Sequence, residues 1–364
     1  MSVDLAFPVP MQEHWNIWDS SKIGGKPVWL DPEHVPDALF CKNCKSPLML
    51  LAQCYLPLDD QEECYHRCIY VFICSKEDCI SHGECVALRC QLPHDNKYYK
   101  SDNSSDVSDK SDPSSPLYWK NNLCNYCNQK SSITCEKCNK RFYCSKEHKI
   151  HDMLCGHMYE CENKPKKPIQ ASYVYQILPE LEVYLDDETE YIDEEKEKEI
   201  EKEYNQYLKQ DDEFDSSVAT DIDIKEVFKK SAMKDPYIYK FMNRVKYAKQ
   251  QIMRIYQWNN SSILWVSHNN LLDEQNIPPC PLCGAPRKCE IQIMPQIIYT
   301  LEQQGKHIPS IDFGVINIYT CSESCSIKNK DGSQYVPEYT YIQMFDNTDE
   351  IESDEEDILE DQVE

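Results

Sequence analysis

Eight sulfur and imidazole donors fall between Cys124 and Cys161 in the order C-x2-C-x7-C-x2-C-x5-C-x3-H-x8-H-x3-C. They are Cys124, Cys127, Cys135, Cys138, Cys144, His148, His157 and Cys161. Eight such donors suffice for two four-coordinate, tetrahedral zinc sites. A closed site keeps no position for substrate, so the string predicts a small structural module that binds rather than catalyses. A cross-braced arrangement would give one metal Cys124, Cys127, Cys144 and His148 and the other Cys135, Cys138, His157 and Cys161. Adjacent pairing, the first four donors apart from the last four, satisfies the spacing as well. His151 and Cys155 fall off the expected spacing and are read as structural or solvent-facing.

Four further cysteine pairs flank this string. Cys41-x2-Cys44 is followed after 29 residues by Cys74-x4-Cys79, and Cys280-x2-Cys283 after 37 residues by Cys321-x3-Cys325. Two thiolates on one metal, each about 2.3 Å from it, need a tight turn between them. Lys42-Asn43 and Pro281-Leu282 supply such turns. These eight cysteines are read as further structural zinc ligands, and Cys54, Cys64, Cys68, Cys85, Cys90 and Cys289 as core or spare thiols. The repeated layout suggests two related zinc-bearing β units separated by an inserted finger and a linker.

Twenty-one cysteines in 364 residues would suit a disulfide framework in a secreted chain, but MSVDLAFPVPMQEHW lacks the basic start and apolar core of a signal peptide. The expectation is a reducing, intracellular setting in which cysteine serves metal. No apolar run has the length that spans a bilayer, so no membrane role is expected. The formal net charge of −25 is concentrated: residues 186–215 hold 15 acidic and 4 basic side chains, and residues 346–364 hold 11 acidic and none basic. Each run nets −11, together 22 of the 25. Nucleic-acid binding wants a clustered basic face, which is absent here, as is the C-x2–4-C-x12-H-x3–5-H finger spacing. Acidic runs suit a basic protein partner, or serve as solvated spacers.

Enzyme signatures do not assemble. Asp312-Phe313-Gly314 matches a kinase triplet, yet no Gly-rich loop or H-R-D-type loop accompanies it. No phosphate-cradling G-x-x-x-x-G-K-[ST] occurs. The expectation is a protein that is not an enzyme.

The elements that must position these donors are mostly strands. His66–Cys74 (HRCIYVFIC) is apolar on both alternating sets, as in a strand covered on both faces. Cys85–Leu92, Glu290–Met294, Val315–Cys321 and Tyr335–Phe345 are further strand candidates. Asp235-Pro236 starts a helix, and the spacing of Ile238, Phe241, Met242, Val245, Ala248, Ile252 and Ile255 predicts one amphipathic helix of about six turns. Trp29, Tyr70, Phe72 and Tyr319 are read as core. The predicted fold class is α+β, predominantly β: two related zinc-bearing β-rich halves in one body, with an inserted double-zinc finger and acidic disordered segments. The predicted boundaries are 1–94 for the first half, 95–119 for a flexible linker, 120–165 for the finger and 166–185 for a connector. An acidic low-complexity segment at 186–233, the second half with its leading helix at 234–345, and an acidic tail at 346–364 follow.

The central string, with FYCSKEH (Phe142–His148) leading into the His157-x3-Cys161 close, resembles a MYND zinc finger. The flanks are similar to the two halves of the programmed cell death protein 2 family. In the first half the resemblance rests on WDSSKIGGKPVWL (Trp18–Leu30), Cys41-x2-Cys44, PLMLLAQCYLPL and HRCIYVFIC. In the second it rests on Cys280-x2-Cys283, IQIMPQ (Ile291–Gln296), Asp312–Gly314 and Tyr319-Thr320-Cys321-x3-Cys325. The resemblance implies a dedicated chaperone for one basic small-subunit ribosomal protein, the universal S-five protein (S-two in eukaryotic naming), in 40S biogenesis. It also implies residence in cytoplasm and nucleus. A different reading is a MYND-type adaptor in transcriptional co-repression or apoptosis and cell-cycle control. One position departs from the finger pattern: MYND modules place a tryptophan near Asp152, where this chain has Met153. That tryptophan helps shape a groove for proline-rich peptides, so the departure touches peptide capture and leaves zinc binding intact.

Overall fold

In the computed structural model the chain is mostly β-structure, with residues 2–11, 19–99, 122–162, 177–192, 198, 202, 235–259, 261–327, 329 and 332–345 described. Ten strands close into one barrel: β1 (Asp4–Val9), β2 (Ser21–Ile23), β3 (Met49–Tyr55), β4 (His66–Ile73), β5 (Cys85–Leu92), β8 (Leu181–Asp187), β9 (Met253–Ile255), β10 (Arg287–Ile293), β11 (Val315–Cys321) and β12 (Tyr335–Gln343). Around the barrel they run β1-β8-β2-β3-β4-β5-β12-β11-β10-β9 and back to β1. Closure removes the open edges that a flat sheet of this width would expose. A two-stranded ribbon, β6 (Ile133–Thr134) with β7 (Phe142–Tyr143), belongs to the finger. The helices are short: α1 (Glu77–Ser81), α2 (Lys146–Asp152), α3 (Met158–Cys161), α4 (Pro236–Val245) and α5 (Gln296–Glu302).

The order repeats itself. β2 to β5 form one antiparallel run and β9 to β12 another. The runs meet at β5–β12, while β1 and β8, paired to each other, join the opposite ends. In each run a C-x2-C turn precedes the second strand, and the later cysteine pair begins at the end of the third.

Alternation sends one face of each strand inward. Ala52 pairs with Val71, Cys54 with Ile69, and Ile291 with both Ile255 and Ile318, all essentially sealed from solvent. Cys54 Sγ reaches Met253 Sδ at 3.8 Å although their strands are not neighbours, so the contact crosses the interior. The outer face of β4 is covered by the loop after β2. Trp29 stacks on Phe72 at 6.0 Å and leans on Tyr70 at 5.0 Å, which puts all three in the core.

The interior also holds charge. Arg67 on β4 donates through Nη1 and Nη2 to the two carboxylate oxygens of Glu290 on β10, across the barrel. Arg89 Nε donates to Glu338 Oε1 at 2.6 Å, and Arg287 Nε to Glu338 Oε2 at 2.8 Å. On the outer face, buried Arg254 donates through Nη2 to Glu188 Oε1 at 2.6 Å. Burial of an ion is tolerable where its donors are satisfied: Arg67 uses both arms of its fork on Glu290, and Arg89 adds the Cys325 carbonyl to Glu338.

Two expectations are corrected. The six-turn helix is the ten-residue α4, capped by Asp235 accepting from the Tyr237 N–H at 2.8 Å. Ile252 instead donates its N–H to Ala6 O at 2.8 Å, and Met253–Ile255 pairs with β1 and β10. Sheet pairing thereby overrides a helical period that the same side chains display. The connector 166–185 and the first residues of the acidic segment contain β8, a barrel strand followed directly by Glu188, which neutralises buried Arg254. The other strands fall at His66–Ile73, Cys85–Leu92, Arg287–Ile293, Val315–Cys321 and Tyr335–Gln343. Most of the linker, most of the acidic segment and the acidic tail lie outside the described residues.

Arg67→Met leaves Glu290 buried and uncompensated. The expected loss is about 3–5 kcal/mol of unfolding free energy, read by urea denaturation, with much of it recovered in Arg67→Met/Glu290→Met.

Candidate metal centres

All four C-x2-C turns adopt one geometry. The residue after the second cysteine has a left-handed backbone: Lys45 at φ 63°, Asn128 at 59°, Asn139 at 54° and Gly284 at 77°. Its N–H donates to the carbonyl of the first cysteine, at 3.0, 2.8, 2.8 and 2.9 Å in the same order. Asn and Gly are the residues that adopt this region at least cost; Lys45 is the strained member. The turn points both thiols of a pair to one side. Backbone N–H groups also aim at sulfur, Cys44 N to Cys41 Sγ at 3.4 Å and Ala285 N to Cys283 Sγ at 3.5 Å.

Each pair meets a second pair. The structure brings together Cys41, Cys44, Cys74 and Cys79; Cys124, Cys127, Cys144 and His148; Cys135, Cys138, His157 and Cys161; and Cys280, Cys283, Cys321 and Cys325. In every group the ligand atoms lie within 4.8 Å of one another. A tetrahedron with zinc–sulfur bonds of about 2.3 Å sets sulfurs roughly 3.8 Å apart. Observed separations are 3.5 Å for Cys44–Cys74, 3.7 Å for Cys127–Cys144, 4.0 Å for Cys135–Cys161, 3.6 Å for Cys280–Cys325 and 3.5 Å for Cys283–Cys321. Soft donor sets of this size, either four sulfurs or three sulfurs with one imidazole nitrogen, fit zinc, and each group could hold one ion. The finger donors group in the crossed order, so adjacent pairing is not the arrangement of this fold.

Local structure explains the placements. Ser145 caps α2 by accepting from the His148 N–H at 3.1 Å, which turns His148 Nδ1 to 3.1 Å from Cys144 Sγ. Gly156, at φ 133°, bends the next turn so that His157 Nε2 sits 3.4 Å from Cys135 and 3.6 Å from Cys138. The Cys321–Cys325 loop is held by the other run of strands: Arg67 Nε donates to Ser324 Oγ at 3.1 Å, Gln91 Nε2 to Ser324 O at 3.0 Å and Arg89 Nη1 to Cys325 O at 3.1 Å.

Electrostatics divide each quartet. Burial pushes the Cys44 thiol up, but hydrogen bonds from Ser46 and from Cys74 and Cys41 outweigh it and bring it down to about 6. Cys135 likewise falls to about 6, burial being outweighed by His157 and backbone N–H groups. Cys124 is lowered by the thiols of Cys127 and Cys144, and Cys280 is lowered by the N–H groups of Cys283 and Leu282 against its burial. Burial pushes Cys74 and Cys325 up instead, and hydrogen bonds from quartet neighbours raise both further. In each quartet one thiol is thus shifted toward the thiolate, and a dication at the centre would favour the rest.

Cys54, Cys64, Cys68, Cys85, Cys90 and Cys289 are buried outside every quartet. His151 and Cys155 are also outside, half-buried. Asp312-Phe313-Gly314 is packing: Phe313 is fully buried, and a Cβ on Gly314 would meet Val266 Cγ2 at 2.4 Å and Gln343 O at 2.7 Å. The fastening of the finger to the barrel was not legible from the ligands. Trp29 Nε1 donates to Asn128 O at 2.7 Å, Gln129 Nε2 donates to Leu48 O at 2.8 Å, and Gln129 Oε1 accepts from Leu39 N at 2.6 Å.

Purified protein should carry four zinc equivalents by elemental analysis, one per quartet. Cys135→Ser should remove one equivalent and leave the Cys124, Cys127, Cys144 and His148 site filled. Cys321→Ser should also remove one and lower the thermal midpoint further than Cys135→Ser, since its loop anchors buried Arg67 and Arg89. Loss of two equivalents on Cys135→Ser would contradict independent quartets.

Residues 5–106 match the N-terminal domain of programmed cell death protein 2, and residues 235–344 match its C-terminal putative domain. Mouse programmed cell death protein 2 is 32% identical over 339 residues, 90% of this chain and 92% of the mouse protein. Human programmed cell death protein 2-like is 26% identical over 332 residues, 85% of this chain and 86% of that protein. A Schizosaccharomyces pombe relative called probable 20S rRNA accumulation protein 4 is 24% identical over 405 residues, 93% of this chain and 97% of its own. No solved structure matches the chain. With both halves matched and the mouse relative aligned almost end to end, the chain belongs to the programmed cell death protein 2 family.

Proposed function

We propose that this protein is a zinc-binding, non-enzymatic factor of ribosome biogenesis that holds a basic small-subunit ribosomal protein, universal S-five (eukaryotic S-two), before 40S assembly. The observation that carries the reading is the relative named for 20S rRNA accumulation, aligned over 93% of this chain. Charge supports it. Ribosomal proteins are strongly basic, and two runs of net −11 stand in for phosphate while speeding encounter. Two closed donor quartets pin the barrel and two pin the finger, and none leaves an open coordination position for chemistry. The two barrel runs are related halves, and the inserted module is a MYND finger with two zinc ions. Residence is cytoplasmic and nuclear, with no membrane and no direct nucleic-acid partner.

The adaptor reading has one observation in its favour. Ile150 on α2, Leu154 in the turn after it and Met158 at the start of α3 are 59%, 54% and 39% exposed.

Affinity purification of the tagged full chain at about 0.1 M salt, with mass spectrometry, separates the two. A near-stoichiometric small-subunit ribosomal protein is expected, falling several-fold at about 0.5 M salt and when the carboxylates of 193–215 are changed to amides. Ile150→Glu/Leu154→Glu should leave it unchanged. Chromatin regulators in its place, lost in that finger variant, would establish the adaptor.

A further inference from the structure

The outer face of β10 and β11 carries a cavity of about 490 Å³ that none of the functions above uses. Tyr319 lies at its floor, Ile263, Trp265 and Ile277 form its walls, and Lys240 and Lys288 stand at its rim.

The cavity occupies the position that the finger covers on the other half. Counting from the knuckles, Ala38 and Ile277 each precede the first cysteine by three residues, and Gln53 and Gln292 each follow the second by nine. Gln53 Oε1 accepts from the Val28 N–H at 2.9 Å, and Gln292 Oε1 from the Leu264 N–H at 3.3 Å. The next residue in each loop is a tryptophan set edge-on against a tyrosine of β12. Trp29 meets Tyr335 at 5.5 Å and 86°, and Trp265 meets Tyr341 at 6.0 Å and 80°.

On the first half another part of the chain completes this surface. Asn128 O takes the Trp29 indole N–H, and Ala38 packs against the finger. On the second half the Trp265 indole N–H has no partner among the described residues, and the side chain is only partly buried. The Tyr319 hydroxyl, on a residue 2% exposed, is buried without a hydrogen bond. An unpaired buried hydroxyl is costly unless something arrives to satisfy it.

We propose that residues 346–364 of the same chain dock in this cavity, as the finger docks on its counterpart. The segment carries 11 carboxylates and no base, with Ile358-Leu359 as an apolar pair. The exposed ammonium groups of Lys240 and Lys288 face one lining carboxylate, Glu274, while Arg287 is already paired with Glu338. The lining asks for such a segment: Ile263, Ile277 and the Tyr319 ring offer space to an apolar side chain, the Trp265 indole N–H and the Tyr319 hydroxyl lack, among the described residues, partners that a main chain supplies, and the two lysines await carboxylates. The tether favours this. The segment begins at Asp346, five residues beyond Tyr341, whose ring touches Trp265, so its effective concentration at the cavity is in the millimolar range. Any partner that uses the cavity must displace it.

The test places the photo-crosslinking residue p-benzoylphenylalanine at exposed Ser262 on the rim of the full-length chain and maps crosslinks by mass spectrometry. Crosslinks from position 262 into 346–364 are expected. They should fall at least fivefold in Ile358→Ser/Leu359→Ser, which leaves the barrel untouched, and in Lys240→Glu/Lys288→Glu. Mixing isotopically labelled and unlabelled chains identifies the donor. Pairs within one chain support the proposal, whereas mixed pairs show a second copy's segment in the cavity and overturn it. Absence of 346–364 from the crosslinked peptides, or crosslinks unchanged in both variants, overturns it equally.

Discussion

Arg67 and Glu290 face each other across the interior of the closed barrel, each essentially without solvent contact. Neither ion tolerates that position alone, so each obliges the other to be there. The pair ties β4 to β10, strands that share no backbone ladder, and Arg67 also reaches Ser324 in the loop between Cys321 and Cys325. Arg89 repeats the arrangement one strand away, with Glu338 and the Cys325 carbonyl. Strands of one run thus hold the Cys321–Cys325 loop of the other, which links barrel closure to the last quartet.

The knuckles work at shorter range. Each is a turn with one left-handed residue and a backbone hydrogen bond across the C-x2-C pair, so two thiols converge within a few residues of chain. What differs is the source of the second pair. In the barrel it comes from the end of a neighbouring strand, and in the finger from α2 and the turn ending at His157. Zinc in such sites would stabilise folding directly, because the unfolded chain offers no preformed quartet. The finger in turn gives Trp29 its hydrogen-bond partner, so a module that looks inserted completes the surface of the first half.

The apolar and charged patterns of this chain are divided between body and segments. Outside the two acidic runs the sequence is near neutral, and the buried pairs Arg67–Glu290 and Arg89–Glu338 join strands of the barrel. The described part of the first run commits one of its carboxylates to the body: Glu188 neutralises Arg254.

The sequence by itself determined which sixteen donors the fold gathers, the strands in HRCIYVFIC and CVALRCQL, and the core placement of Trp29, Tyr70 and Phe72. Ligand type and spacing are local facts, and a double-sided apolar run announces a covered strand without further context. Three of the four left-handed knuckle residues are of types that adopt that backbone readily, Asn128, Asn139 and Gly284; Lys45 is not, so its residue type does not announce the turn. Tertiary structure alone decided the rest. The crossed grouping of the finger depends on how α2 is capped, and the end of α4 at Val245 on β1 and β10 offering Met253–Ile255 a ladder. β8 joins β1 and β2 from more than 150 residues away, and the cross-barrel ion pair spans 223 positions. Pairings at such separation leave no periodic trace in either segment, since each partner's surroundings are created by the closure itself.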